Sequence, residues 1–231
     1  MMNVIWGKFL RSFVYASEGI TYSLASQRNM KVHFTIAFIV LLLGMWFHFN
    51  TMDTLIILFA IGLVIGFEMV NTAIEATIDL VTQEFHPLAK IAKDVAAGAI
   101  LMVTFTVVFV GLVVLFPYLT LIYQEGWKGR LPSQPSFFIL QGFFLLLFTY
   151  VVKAYWYKKQ SNYEPNVLVG ILFYLFVLFY FINVLFSLLV FFLLTNYLIM
   201  ILFKKKFTWV GFVQNGLISI GGFFLLYYLF Y

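Results

Sequence analysis

GFEMVNTAIEATIDLV, residues 66–81, closes an apolar stretch that begins near residue 54. Three carboxylates (Glu68, Glu75 and Asp79) and the amide of Asn71 stand where a bilayer-spanning helix ordinarily carries almost no polar groups. At about 100° per residue, positions 68, 71, 75 and 79 point to roughly 0°, −60°, −20° and +20°, a single stripe of one helix. Along the axis Glu75 and Asp79 fall about 10 and 16 Å beyond Glu68. Ionisable groups at membrane depth are costly and face a bundle interior, a partner charge or water. The stripe therefore predicts a polar cavity opening toward the cytoplasm.

The surrounding chain supports a membrane setting. Its 231 residues are 64% hydrophobic and 10% charged, with a mean hydropathy of +1.01, too much apolar surface for a soluble domain to hide. With no cysteine, disulfides and thiolate metal sites are excluded. The opening MMNVIWGKFLRSF lacks the continuous apolar core and small-residue cleavage site of a signal peptide.

Apolar runs at 32–49, 54–80, 92–118, 137–157, 166–183, 185–203 and 208–231 predict seven crossings. The 39 uncharged residues between Glu164 and Lys204 are too many for one pass and are split near Asn183. With the N-terminus in the cytoplasm, twelve basic residues fall inside and only Lys128 and Arg130 outside. The net charge of +5 is thus a topology signal, and nucleic acid is not an expected partner. An external linker over 124–136 divides a domain of three crossings, 1–123, from a four-helix domain, 137–231. The expected fold is an all-α integral membrane protein.

Ahead of the first crossing, Trp6, Phe9, Leu10, Phe13, Ile20 and Leu24 recur at three- and four-residue steps. Lys8, Arg11, Ser12, Tyr15 and Glu18 fill the other face, which predicts an interfacial helix with its apolar stripe in lipid.

After the acidic helix comes TQEFHPLAKIAKDVAAGA, residues 82–99. It reads as an interfacial turn at Pro87 leading into a third helix, whose first turns bring Lys93 and Asp94 toward Glu75 and Asp79. The small residues 96–99 would let helices approach closely. Carboxylates, an amide and an ammonium at one lipid–water boundary suit phosphoryl transfer. In that chemistry carboxylates hold Mg²⁺ against nucleotide phosphates, a Lys offsets charge, and a buried Glu accepts a hydroxyl proton. A structural ion-pair cluster and a proton or ion relay fit the same residue types.

Two spaced motifs narrow the choice. E-x-x-N-T-A-I-E-x-x-x-D (Glu68 to Asp79) followed by H-P-x-x-K-x-A-K-D-x-A-A-G-A (His86 to Ala99) resembles the prokaryotic diacylglycerol kinase family over about residues 5–120. R-N-x-K-x-H (Arg28 to His33) is more similar to members that phosphorylate undecaprenol. The resemblance implies a homotrimer with ATP and Mg²⁺ as cosubstrates and active sites shared between subunits. By position it makes Glu68 the general base, Asn71 its hydrogen-bonding neighbour and Glu75 a metal ligand. Lys93 would contact nucleotide phosphates, and Asp79, Glu84, His86 and Asp94 would line the nucleotide end. Arg28, Asn29 and Ala97 would border the lipid. It implies a multi-pass protein of the bacterial cell membrane.

One position departs. The family has E-R-N before the first crossing, its Glu a second metal ligand, whereas this chain reads Gln27-Arg28-Asn29. A neutral amide removes one negative charge from the metal site, unless another carboxylate such as Glu18 compensates. It therefore raises the alternative of a catalytically impaired, kinase-derived lipid-binding or assembly protein.

The second half faintly resembles a type 2 phosphatidic acid phosphatase, through L-P-S-Q-P-S-F at 131–137. That chemistry needs two His and basic phosphate ligands. No His follows His86 and no Arg follows Arg130, so the half is expected to be degenerate. Lys153 and Lys204 to Lys206 read as interfacial snorkels. Asn183 reads as a turn, and Gln214 and Asn215 as polar glue between helices.

Overall fold

The computed structural model describes residues 2–125, 135–159, 166–182, 190, 191, 193, 194, 197 and 209–230, leaving aside the side chains of 2–10, 122, 125, 135, 179–182 and 230. The described residues form helices and turns, with no strand among them. The chain divides into two compact units: residues 27–137, and residues 1–26 together with 138–231. Five helices are long and apolar enough to cross a membrane, over Arg28–Phe47, Thr51–Val81, Pro87–Leu121, Ser136–Lys158 and Trp209–Leu229. The first three correspond to the three crossings expected of the first half. The expected split at Asn183, much of the crossing at 185–203, most of the linker and Lys204 to Lys206 lie outside the described residues.

In the unit 27–137, α2 (Arg28–Phe47) and α3 (Thr51–Val81) form a hairpin, and α4 (Pro87–Glu125) packs along α3. The hairpin loop is specified locally. His48 takes a left-handed conformation at φ 53°, and the N–H groups of His48 and Phe49 both reach the Gly44 carbonyl. This doubled C-cap places a hydrophobic residue just past the left-handed one. Phe49 fills that role, fully buried. Asn50 then caps α3: its Oδ1 accepts from Asp53 N–H at 2.9 Å while its Nδ2 donates to Asp53 Oδ2 at 2.7 Å. Tyr118 on α4 closes this end, donating to Asp53 Oδ2 at 2.6 Å and stacking on Phe47.

At the other end of α3, the chain leaves at Thr82 and re-enters helix at Pro87, where proline's missing N–H costs nothing. Met30, Phe34, Ala37 and Leu41 of α2 are buried at three- and four-residue steps, as are Ile57, Ala60, Ile61 and Val64 of α3. The small residues of α4 behave differently from expectation. Ala96 is buried, but Ala97 and Ala99 are exposed, and a Cβ on Gly98 would meet nothing within 4 Å. Within one chain, then, Ala96 is covered while Ala97 and Ala99 are not.

In the other unit, α1 (Met2–Ser26) groups with α5 (Pro135–Lys158), α6 (Val167–Ile182), α7 (Trp209–Gly216) and α8 (Gly222–Phe230). A π-helical turn, Leu217–Gly221, joins α7 to α8. Where α5 meets α8, a Cβ on Gly222 would lie 2.5 Å from Leu145 Cδ2, so a larger residue there would oblige the Leu145 side chain to shift. Gln141 ties the same pair of helices by donating to the Phe223 carbonyl at 2.8 Å.

The expectation for α1 needs correction. Of the stripe assigned to lipid, Leu24 is buried and Phe13 and Ile20 are partly so, with Ser17 and Thr21 buried beside them, so this end of the helix is a packing face; the side chains of Trp6, Phe9 and Leu10 lie outside the described residues. Lys153 is not a snorkel either. It is 9% exposed and donates to Ser17 Oγ at 3.2 Å, and Ser17 also shares a side-chain hydrogen bond with Tyr150. The physical reason is that an interior ammonium needs hydrogen-bond acceptors, and the small hydroxyl face of α1 provides one.

Candidate active site

The polar stripe of α3 runs from burial to water over three turns. Glu68 is 2% exposed, and Asn71 and Thr72 are also buried. Glu75 is half-buried, while Asp79 is exposed. Helical periodicity makes this one face, and the packing of α2 and α4 on α3 covers only its deeper part.

Glu68 is the least satisfied group on the stripe. Its Oε2 is buried without a hydrogen bond, and the nearest opposite partner is His33 Nε2 on α2, at 3.9 Å. That distance is too long for a hydrogen bond and short enough for electrostatic contact once the imidazole is protonated. Such an orphaned carboxylate oxygen is costly in a buried setting and is the kind of exception that calls for a functional reason. Asn71 Nδ2 donates to Glu75 Oε1 at 3.0 Å, fixing the side chain one turn further along. Asn71 Oδ1 is buried and unbonded, leaving an acceptor beside Glu68.

Nearer water the groups pair. Lys93 Nζ on α4 meets Asp79 Oδ1 on α3 at 2.5 Å, bridging the two helices. Asp94, expected beside Glu75 and Asp79, instead pairs with Lys90 at 2.6 Å one turn back along its own helix. Glu84 and His86 are exposed in the α3–α4 turn; His86 accepts the Lys90 N–H through its carbonyl, and Glu84 N–H donates to Thr82 Oγ1 at 3.3 Å. Arg28, Asn29 and Ala97 are exposed.

Gln27 holds the N-cap position of α2 without making a side-chain cap, and it lies on the row of Met30 and Phe34 that faces α3. Because α2 and α3 are antiparallel, six residues back from His33 and seven forward from Glu68 reach similar depth, about 9 and 10 Å along each helix. Gln27 and Glu75 therefore lie at one level.

Among the described residues, no group of three or more His, Asp or Glu side chains gathers to hold a metal. The donor chemistry nevertheless suits Mg²⁺, which takes one or two carboxylates and completes its shell with water and substrate phosphates. Glu75 supplies one carboxylate, with one oxygen engaged by Asn71. Gln27 offers only a neutral carbonyl oxygen.

Comparison with known proteins bears on this arrangement. A family model described as prokaryotic diacylglycerol kinase matches residues 14–115. Over 112 residues the chain is 39% identical to an undecaprenol kinase of Bacillus subtilis, spanning 48% of this chain and 91% of the relative. The chain belongs to the prokaryotic diacylglycerol kinase family. It is also 40% identical over 109 residues to a diacylglycerol kinase of Synechocystis, covering 47% of this chain and 62% of that one. With a diacylglycerol kinase of Escherichia coli K12 it shares 20% identity over 111 residues, 48% of this chain and 91% of the other. No solved structure matches the chain.

As a member of this family the chain is a multi-pass membrane lipid kinase, and the acidic stripe lies within the matched region. The match ends at residue 115, so residues 116–231 carry no assignment from it. Sequence reasoning singled out the α3 stripe of this lipid kinase but gave no role to His33. Its motif position before the first crossing was visible; its approach to Glu68 depends on how α2 lies against α3.

Proposed function

We propose that the chain transfers the γ-phosphoryl group of ATP to the hydroxyl of a membrane lipid alcohol, undecaprenol ahead of diacylglycerol, at the cytoplasmic face of a bacterial cell membrane. The observation that carries this reading is the unbonded, buried Oε2 of Glu68 beside His33. A carboxylate without a hydrogen-bond donor, one stripe away from water, is disposed to take a proton from a lipid hydroxyl. The preference for undecaprenol rests on the 39% identity to a protein of that name.

In this reading the lipid oxygen loses its proton to Glu68 and bonds to the γ-phosphorus, while the bond to the bridging oxygen breaks and ADP leaves. Asn71 fixes Glu75 and presents its own carbonyl oxygen to the site. Lys93, held by Asp79, stands at the water-exposed end to offset phosphate charge, and Glu84, His86 and Asp94 border that nucleotide end. Glu75, with the Gln27 carbonyl, would hold Mg²⁺. The ion, when bound, would neutralise charge developing on the β- and γ-phosphate oxygens. Arg28, Asn29 and Ala97 would border the lipid chain. Ala97 and Ala99 are small and exposed on α4, so a second copy could approach closely there, in keeping with the homotrimer that the resemblance implies. The twelve-to-two distribution of basic residues supports a cytoplasmic N-terminus.

The test is the full chain in lipid nanodiscs with labelled ATP, Mg²⁺ and either undecaprenol or diacylglycerol. Label entering undecaprenol, and lost in Glu75→Gln, supports the assignment. Absence of turnover with lipid binding intact would support instead a kinase-derived lipid-binding protein, the reading that Gln27 raises.

A further inference from the structure

Asn215 of α7 is 1% exposed, yet neither its Nδ2 nor its Oδ1 reaches a hydrogen-bond partner. Leaving an amide dry and unbonded is costly. A residue that merely joins helices would be bonded across them, as Gln141 is to the Phe223 carbonyl. Asn215 joins nothing, so the expectation of polar glue is not met at this position.

The surroundings of the amide are organised. A Cβ on Gly170 of α6 would lie 3.4 Å from Asn215 Oδ1, 3.6 Å from Ser219 Oγ and 3.6 Å from Thr149 Oγ1. Three oxygens, from α5, α7 and the π-helical turn, thus converge beside one glycine. The Thr149 hydroxyl donates to the Leu145 carbonyl at 2.9 Å and the Ser219 hydroxyl to the Gly170 carbonyl at 2.8 Å. With their single protons committed, both hydroxyls offer lone pairs. Ser219 sits in the middle of the π-helical turn Leu217–Gly221, a local irregularity that recurs at functional sites.

The node therefore presents acceptors from Thr149, Ser219 and Asn215 together with the Asn215 N–H donors. Its complement must both donate and accept. Ester carbonyls and phosphodiesters of ordinary lipids only accept, whereas a hydroxyl does both. Thr149 lies nine residues before Lys158, and Gly170 three after Val167, so the node is about 13 and 5 Å in from those helix ends. Next to Gly170, Val169 packs with Leu172, Phe173 and Phe212 in an apolar cluster, surroundings that suit a lipid rather than a water-soluble ligand.

We propose that the unit containing residues 138–231 carries a binding site for the hydroxyl of a lipid alcohol, centred on Asn215 and lined by Thr149, Gly170 and Ser219. The choice of an alcohol rests on the kinase reading, but the site belongs to the other compact unit from Glu68 and holds its ligand without phosphorylating it.

The experiment uses the full chain in nanodiscs with a polyprenol that carries a diazirine next to its hydroxyl and an alkyne at its tail. Cross-linked peptides are mapped by mass spectrometry, alongside the methyl ether of the same probe. Labelling of the peptides around Thr149 and Asn215 is expected with the alcohol and not with the ether. It should fall at least about fivefold in Asn215→Leu, the loss of one or two hydrogen bonds, and persist in Glu68→Gln. Gly170→Ala decides the matter where Asn215→Leu folds poorly. Its methyl would make ordinary contacts at 3.4–3.6 Å and occupy the space beside the amide, so it should block labelling while leaving the melting temperature unchanged. Equal labelling by alcohol and ether, or undiminished labelling in Gly170→Ala, would overturn the proposal and leave the node a buried-water site. Loss of lipid phosphorylation in Glu68→Gln with this labelling intact separates the two readings; phosphorylation without labelling refutes only the second site.

Discussion

His33 Nε2 of α2 stands 3.9 Å from Glu68 Oε2 of α3, inside the span of both helices. Among the described residues Glu68 has no other opposite-charge partner within 4 Å, and its Oε2 accepts no hydrogen bond. His33 is placed to orient the carboxylate and to stabilise it electrostatically when the imidazole carries a proton. His33→Ala is therefore expected to lower kcat about tenfold or more with little change in KM for ATP, a loss of about 1.4 kcal/mol in transition-state stabilisation. Asn at the same position should restore part of the rate if a polar contact is what matters. Steady-state kinetics of the three proteins decides it, and equal kcat values would remove His33 from the site.

In the proposed metal site, Gln27 puts a neutral carbonyl oxygen where the resemblance expects a second carboxylate ligand. Gln27→Glu adds a charge at the N-cap of α2, a position that also favours an anion. The Mg²⁺ concentration for half-maximal rate should fall about tenfold, corresponding to 1.4 kcal/mol. A titration of rate against Mg²⁺ at saturating ATP reads this directly. No shift would mean that Gln27 does not face the ion.

The Lys93–Asp79 pair joins α3 to α4, but its side chains are 38% and 63% exposed. Exposed pairs contribute about 0–1 kcal/mol, so stability is not its main effect. Lys93→Met should leave the melting temperature within about 2 °C while reducing kcat/KM for ATP by at least about a hundredfold, as expected for a lost phosphate contact. A large drop in melting temperature with unchanged kinetics would make the pair structural.

Tyr118 and Asp53 lie at the opposite end of the hairpin from the water-exposed end of the stripe, with Asp53 fifteen residues and about 22 Å along α3 from Glu68. Tyr118→Phe removes a charge-assisted hydrogen bond of 2.6 Å and should cost about 1.5–3 kcal/mol. Turnover at low temperature should be unaffected. Thermal unfolding in detergent, with activity measured below the transition, separates the two effects.

Much of the kinase half was legible because its signals are periodic. The four polar residues of α3 recur at helical steps, so their common face followed from spacing alone, and the flanking apolar runs fixed α2, α3 and α4. The helix ends were less accurate. Arg28, Thr51 and Pro87 begin helices several residues before the apolar runs do, because caps and polar first turns are helical without being hydrophobic. The rest depended on contacts between segments far apart in sequence. Nothing near Lys153 announces Ser17, 136 residues away, and nothing near Asn215 announces Thr149 or Gly170. In the second half nearly every residue is apolar, so hydropathy cannot tell which face packs and which meets lipid.

The central claim is that Glu68 takes the proton from a lipid hydroxyl, and Glu68→Gln tests it most directly because the amide is isosteric and cannot serve as a base. Phosphate transfer from ATP to undecaprenol, measured in nanodiscs with the melting temperature as a control for folding, should fall by a factor of about 10² to 10⁴. A correctly folded Glu68→Gln protein that phosphorylates the lipid at the unaltered rate would contradict the account.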